Sequence, residues 1–374
     1  MNAPLPSARP HLPLDATDER PWVTLVLPCF NEAALLARHW CEIEAALRAL
    51  SSEWRFEVIL IDDGSRDETA AIASAIEPEE WLLRVIRHPV NFGLGQALKT
   101  AFNASRGDVV ITMDIDLSYA PELIGRLLEA LQTHRAKLVL ASAYMPGGQV
   151  INVPWHRRVL SRWANRFLSL FAQGGLATLT CMVRAYDGPF IRSLVLRSTG
   201  MEIMPELIYK TMVMRGRIVE VPATLDWSRQ LELGRSRSSS MRIARQVLST
   251  LVTGVMLRPF AWLMAPGLLL MTLGMGTAAL MLWDLALLAA SQGAPLADLA
   301  PALWRAHPIV GVLGAVSLTA GMSLLGLGLV ALQMKRYFED LYHLGVTLHG
   351  AHRGEIRREA RWETARPPRS VSRP

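Results

Sequence analysis

Two runs without a single charged residue, 261–283 and 309–333, constrain this chain more than anything else in it. At about 1.5 Å per residue, either run as a helix is long enough to cross a hydrocarbon layer about 30 Å thick. The second is rich in Gly, Ala and Ser, which permit close helix packing. The connector, 284–307, holds only Asp284, Asp298 and Arg305 as full charges, whereas Arg242, Arg245 and Arg258 precede the first run and Lys335 and Arg336 follow the second. The positive-inside rule puts both basic flanks in the cytoplasm. The runs are therefore expected to form a transmembrane hairpin in an integral inner or plasma membrane protein, with the preceding domain and both termini cytoplasmic. Two buried helices of a soluble core would not need such length and purity.

The remaining sequence reads differently. Up to about Arg245 it has the mixed composition of a soluble domain, and the net charge of +6 is concentrated around the apolar runs and at the end of the chain. That placement favours lipid headgroups and phosphates as partners over nucleic acid, for which no zinc-finger, basic-zipper or aromatic RNA-binding signature is present. Cys29, Cys41 and Cys181 have no paired spacing, so neither a disulfide framework nor a zinc site is indicated. Residues 1–20 are Pro-rich and polar, without a signal peptide's apolar centre, and are expected to be a disordered arm. The segment 241–257 can form a helix with apolar and basic faces suited to a membrane surface. The Arg-rich end, 353–374, lacks apolar periodicity and is expected to be solvated.

Within the soluble part, strands and helices alternate. Apolar runs at 22–30, 56–61, 82–87, 108–113 and 137–142 read as buried strands, and amphipathic patterns at 33–50, 68–76, 96–105 and 121–131 as the helices between them. A further helix is expected over 155–171, another over 204–214 and a strand over 217–221. This alternation predicts an α/β fold with a doubly wound, mostly parallel sheet. Ligands of such sheets bind at the carboxyl ends of the strands. Four polar clusters fall there in succession: Asn31-Glu32, Asp62-Asp63, Asn91 and Asp114-Ile115-Asp116.

Asp114 and Asp116, separated by one residue after a buried strand, can hold a hard divalent cation, Mg²⁺ or Mn²⁺, beside a diphosphate. Asp62-Asp63-Gly64-Ser65 can cap the helix that follows, or offer a carboxylate to a nucleobase or ribose. Asn91-x-Gly93-x-Gly95 lacks the third glycine of a dinucleotide fingerprint and follows the third strand rather than the first, so it does not indicate such a site.

Taken together, VTLVLPCFNE (23–32), VILIDDGSRDET (58–69), NFGLGQAL (91–98) and DIDLSYAPE (114–122) resemble glycosyltransferase family 2, whose fold is GT-A. RVLSRWAN (158–165), EVPATLDWSRQLELGRSR (220–237) and the hairpin narrow the resemblance to the polyprenol-phosphate sugar transferases. The resemblance implies that Pro28, Glu32 and Asp63 line the nucleotide pocket and that Asp114 and Asp116 bind metal and diphosphate. It implies that Arg158 and Ser161 lie on the acceptor side, and that Arg229, Arg235 and Arg237 belong to a basic loop closing over the donor. It also implies a UDP- or GDP-linked sugar as donor and a polyprenyl phosphate as acceptor. The expected division is an arm at 1–20, a catalytic domain at 21–240, a juxtamembrane helix at 241–258, the hairpin at 259–335 and a basic cytoplasmic tail at 336–374.

A phosphate acceptor is already ionised at neutral pH and needs no general base. This accounts for the lack of an evident catalytic His or acid–base pair, and it implies direct attack on the anomeric carbon with inversion. Two departures from the family stand out. Ser118 occupies a place usually held by Gln or a similar residue. The segment resembling D-x-T-S-G-F-R is here Thr178-Leu179-Thr180-Cys181-Met182-Val183-Arg184, with Thr for the acid and Met for the Gly. The alternatives are a different lipid or glycan acceptor, or a non-catalytic membrane protein that binds nucleotide-sugars. A homo-oligomer is left open.

Overall fold

The computed structural model describes residues 18–78, 80–171, 175–228, 259–292, 301, 304–305 and 307–364. They belong to two compact units, one built on a sheet and the other on the long helices.

The sheet unit begins with β1 (Trp22–Cys29), α1 (Ala33–Leu50) and β2 (Arg55–Asp62). Then come α2 (Thr69–Ala75), β3 (Leu82–Arg87), α3 (Leu94–Ala104) and β4 (Val109–Thr112). The second half runs through α4 (Leu123–Thr133), β5 (Leu138–Ser142), β6 (Gln149–Ile151) and α5 (Trp155–Phe171). It ends with β7 (Arg184–Asp187), α6 (Gly188–Ser193), α7 (Ile203–Val213), β8 (Ile218–Pro222) and β9 (Thr224–Asp226). The main sheet has the order β3-β2-β1-β4-β7-β5-β8, and β6 pairs with β9 in a separate ribbon. All pairings in the main sheet are parallel except those of β7, which runs antiparallel between β4 and β5. This is a GT-A-type α/β fold.

The reason for the pattern is burial on both faces. Val23 to Leu27 of β1 and Phe56 to Asp62 of β2 are buried without a break, as a parallel sheet covered on both sides requires. Leu36, Ile43 and Leu47 of α1 and Ile124, Leu127 and Leu128 of α4 pack with Val23, Leu25, Val58 and Ile111 on one face. Helices α3, α6 and α7 cover the other, where Phe102 meets Tyr186 edge-on at 5.4 Å between ring centroids.

The alternation and most boundaries follow the sequence reading, but β7, α6 and the β6–β9 ribbon do not. At only four residues, and opening on Arg184, β7 carries no apolar run to announce it.

The second unit holds α8 (Pro259–Gln292) and most of α9 (Pro308–Thr364). Both contain stretches long and apolar enough to cross a membrane, Trp262–Ser291 and Pro308–Val346. Their leucines, valines and methionines are exposed rather than packed in a core, with Leu269 69% and Ile309 73% exposed. Both helices are thus fit, by length and composition, to cross a membrane. The two helices run antiparallel and meet along glycines spaced seven apart: Gly267 and Gly274 on α8, Gly314, Gly321 and Gly328 on α9. A methyl group at Gly274 would lie 2.7 Å from the Leu318 amide, and one at Gly321 2.6 Å from that of Met271.

Two expectations are corrected here. Asp284 is not at the edge of the first span but inside α8, because the helix-forming stretch 284–292 meets no breaker before Gly293. The segment expected to be a basic tail from 336 continues the second helix through Thr364, with no proline before Pro367 to end it. The surface helix at 241–258 and residues 1–17 of the arm lie outside the described residues. The remainder of the arm is tied down, with Asp18 3.4 Å from Arg55 of β2.

Candidate active site

The chain adds β2 and β3 on one side of β1 and then crosses to β4 on the other. The carboxyl ends of β1 and β4 therefore flank the switch point where a crevice opens in such sheets. β4 follows β1 only as far as Thr112 opposite Val26, and Met113 makes the last bond, to the Val26 carbonyl at 3.1 Å. Beyond it the strands part. Half-buried Pro28 lies in this open part of β1, where a missing N–H leaves no ladder bond on the β4 side unmade.

The first two polar clusters are knitted together. Backbone N–H groups of Asn31, Glu32 and Ala33 donate to Ser65 Oγ, Thr69 Oγ1 and Asp67 Oδ2, at 2.9, 2.9 and 3.2 Å. Asn31, at φ 55°, accepts from the Arg66 amide in return. Burial raises the Asp67 carboxyl, but hydrogen bonds from Thr69 and from the Ala33 amide outweigh it and hold the group below its ordinary range.

Asp63 is buried and fully engaged. Its Oδ1 accepts from His88 Nδ1 at 2.7 Å and the Phe92 amide at 3.0 Å, and its Oδ2 from the Gly93 amide at 2.8 Å. The carboxylate thus holds the loop leading into α3. Gly93, at φ 92°, and Gly95 let that loop approach the Thr199 carbonyl, which receives the Gly95 amide at 2.8 Å. Asp62 accepts from the Ser65 amide at 2.9 Å and lies 3.2 Å from Arg87.

Asp114 and Asp116 are half-buried at the end of β4. Three contacts hold this segment. His39 of α1, itself buried, donates from Nδ1 to the Ile115 carbonyl at 2.8 Å. Asp116 Oδ1 accepts from the Ser118 amide at 2.9 Å, and the Ser118 carbonyl accepts from the Asp226 amide at 2.9 Å. Between them Leu117 takes φ 49°, a left-handed conformation that a leucine adopts at a cost of about 1–2 kcal/mol. Buried Ser118, short where a Gln is usual, thus takes part in the turn. The region is strongly negative: burial, reinforced by the carboxylates of Glu32, Asp62, Asp67 and Asp114, pushes the Cys29 thiol well above its ordinary range.

Two bonded routes lead from these aspartates to α5. One runs from Ser118 to β9, across the ribbon to β6, and from the Val150 carbonyl to Arg158 Nη2 at 3.4 Å. The other runs from Tyr119, hydrogen-bonded to the Cys181 thiol, to the neighbouring Leu179 amide, which donates to Asn165 Oδ1 at 2.8 Å. Asn165 also donates to the Ser161 carbonyl at 3.0 Å, which places Ser161 in this network. Among the described residues, buried Arg158 Nε has no hydrogen-bond acceptor.

The altered segment 178–184 is held from three sides. Glu220 of β8 accepts the Ala177 and Thr178 amides, both at 2.8 Å, so an acid from another strand stands where Thr178 replaces one. Thr178 Oγ1 pairs with Ser142 Oγ at 2.7 Å. Arg184 is completely buried and donates to the carbonyls of Cys181, Met204 and Leu179 at 2.7, 2.8 and 2.8 Å. His39, Tyr119, Glu220 and the frame role of Asp63 are invisible to motif reading, because their partners lie tens of residues away. Arg229, Arg235 and Arg237 lie outside the described residues.

The donor set at Asp114 and Asp116 fits a hard cation. Both ligands are carboxylates, and the described residues add no third His, Cys, Asp or Glu to form a protein-only cage. That leaves positions for phosphate and water oxygens, as Mg²⁺-type sites prefer.

Comparison with known proteins identifies the family. A family profile described as glycosyl transferase family 2 matches residues 24–190. The chain is 30% identical over 243 residues to the undecaprenyl-phosphate mannosyltransferase of Micrococcus luteus, covering 63% of this chain and 95% of that protein. It is 27% identical over 327 residues to the undecaprenyl-phosphate 4-deoxy-4-formamido-L-arabinose transferase of Sodalis glossinidius, covering 85% and 90%. Among solved structures, glucosyl-3-phosphoglycerate synthase from Mycobacterium tuberculosis, in complex with Mn²⁺, UDP and glucosyl-3-phosphoglycerate, aligns with a TM-score of 0.46 and 23% identity over 63% of this chain and 80% of that one.

Proposed function

This chain belongs to glycosyl transferase family 2 and is a glycosyltransferase; from that we propose that it moves a single sugar from a nucleotide-sugar to a polyprenyl phosphate at the cytoplasmic membrane face, with inversion. The observation that carries the reading is the double linkage of Asp114-Ile115-Asp116 to α5. It joins the proposed diphosphate site to a helix whose Arg158 Nε has no acceptor among the described residues. The relatives' acceptors, and two helices fit to cross a bilayer, support a lipid phosphate as the group received.

Pro28, Glu32 and the loop held by Asp63 form the nucleotide pocket. Arg229, Arg235 and Arg237 supply cations that close over the donor. Asp114 and Asp116 hold Mg²⁺ or Mn²⁺, which when bound neutralises charge on the departing nucleoside diphosphate. Arg158 binds the acceptor phosphate with its planar fork, and Ser161 adds a hydroxyl beside it. The ionised phosphate oxygen attacks the anomeric carbon. A new carbon–oxygen bond forms as the bond to the diphosphate breaks, and no proton needs to be removed. The protein positions the two anions against their mutual repulsion and excludes water.

The test is transfer in detergent. Labelled UDP-glucose, UDP-N-acetylhexosamine and GDP-mannose are offered in turn with Mn²⁺ or Mg²⁺ and undecaprenyl phosphate. Label entering the organic phase from one donor, and lost in Asp116→Asn and with chelator, supports the reading and identifies the sugar. No organic-soluble label from any donor, with protein shown to be folded, removes the polyprenyl-phosphate assignment.

A further inference from the structure

Helix α3 starts without a side-chain cap of its own. The residue before it is Gly93, which has nothing to offer the first amides of the helix. The acceptor comes instead from the connection between α6 and α7. The Thr199 carbonyl takes the Gly95 amide at 2.8 Å and the Gln96 amide at 3.3 Å. The fit is tight: a methyl group at Gly93 would lie 2.6 Å from that carbonyl oxygen, and one at Gly95 2.6 Å from the Ser198 carbonyl oxygen. These amides are therefore engaged by the protein rather than directed at an anion. Lys99 of α3 adds a second tie, to the Arg197 carbonyl at 3.3 Å. The segment that carries Thr199 is itself held from α7. Glu206 accepts the Arg197 amide on Oε1 and the Ser198 amide on Oε2, both at 2.8 Å. Lys210, one turn further along α7, is buried and donates both to Glu206 and to the Val195 carbonyl. Helix α7 is anchored in turn by buried Arg184, which donates to the Met204 carbonyl at 2.8 Å.

We propose that Glu206 and Lys210 are positioning residues for the nucleotide. They fix the segment 195–199, and its Thr199 carbonyl fixes the start of α3. The loop 91–95 is thereby clamped between that carbonyl and Asp63, which holds the Phe92 and Gly93 amides from the other end. The inference rests on the reading that Asp63 and this loop line the nucleotide pocket. Two observations set the pair apart from ordinary packing. A buried ion pair is seldom more stable than apolar side chains of the same size, so stability alone does not account for one here. The backbone groups it bonds, at Val195, Arg197 and Ser198, lie in a connection whose residues 195, 197 and 199 are exposed, where water would serve them equally well. What the pair supplies, and water does not, is a fixed place for the Thr199 carbonyl.

The experiment uses the full chain in detergent and replaces both partners at once, Glu206→Met with Lys210→Met, which removes the charges and keeps the space filled. Gly95→Ala, which presses a methyl group against the Ser198 carbonyl, is the second variant. Hydrogen exchange is followed along the chain. Donor and acceptor kinetics are measured with the nucleotide-sugar that the wild type uses, alongside affinity for UDP and GDP. In the double variant the Gly95 and Gln96 amides should exchange about tenfold faster while α1 keeps its protection. Donor KM should rise about tenfold, with acceptor KM and kcat within about twofold of wild type. Gly95→Ala should repeat the donor effect with Glu206 and Lys210 intact. Unchanged exchange at 95 and 96 would overturn the proposal. So would faster exchange there with donor KM unchanged, and so would loss of protection throughout the sheet unit, which would make the pair part of the general fold. A wild type that binds neither nucleotide would count against the nucleotide pocket itself, and exchange would still decide whether the pair holds α3.

Discussion

Asp62-Asp63, closing β2, and Asp114-Ile115-Asp116, following β4, are acidic pairs on the same edge of one sheet, yet their surroundings differ. Asp62 and Asp63 are buried, and Asp63 accepts from one histidine and two backbone amides. Asp114 and Asp116 are half-buried; His39 holds the carbonyl of the residue between them, and the Asp116 carboxylate accepts the Ser118 amide of its own turn. The first pair uses its carboxylates to build the frame. The second sits half-buried in a turn that other residues help to build. An acidic strand end is thus read by what its oxygens receive, not by its spacing in the chain.

The contrast can be broken most directly at Asp116. Asp116→Asn should lower transfer by about 10²–10³-fold, with the melting temperature unchanged. A matching loss of stability would place Asp116 in the frame with Asp63. Asp63→Ala should do the opposite first. Leaving the His88, Phe92 and Gly93 donors buried without an acceptor should cost about 1–3 kcal/mol in denaturant unfolding, with faster hydrogen exchange at 91–95. His39→Leu removes the donor to the Ile115 carbonyl and should reduce kcat more than donor KM, because the aspartates drift while the nucleotide pocket stays whole. Glu220→Gln should have a smaller effect, about 1 kcal/mol, since an amide oxygen still accepts one of the two backbone donors.

Acid should weaken the framework of the sheet unit as well. Burial raises the Glu206 carboxyl, but hydrogen bonds from Lys210 and from the Ser198 and Arg197 amides outweigh it and bring it below its ordinary range. The stability it contributes is therefore complete above the unfolded value, near pH 4.5, and is lost as the pH falls through the lower folded value. Asp67 acts in the same sense. Melting temperature should fall below about pH 4, and Glu206→Gln should flatten that fall.

The sequence made the left half of the sheet legible because its parallel strands are covered on both faces. Such strands read as unbroken apolar runs, and α1 begins and ends where its periodicity predicts. Strand β7 was not legible because it opens on a buried arginine, satisfied by two carbonyls of the loop before it and by that of Met204 in α7. The same holds at the site. Asp114 and Asp116 announce themselves by spacing, whereas His39 lies 76 residues from the carbonyl it steadies. Glu220 lies 42 residues from the Thr178 amide it receives. In each case the partner is fixed by the order of strands, which single motifs do not carry.

The glycine seam between α8 and α9 gives the hairpin a mechanical character. Lipid tails are as apolar as leucine, so water exclusion does not hold the pair together, and close backbone contact must. With Gly267 and Gly274 set against Gly314, Gly321 and Gly328, sliding one helix past the other by a single turn would drive leucine or methionine side chains into backbone. The pair therefore resists piston motion.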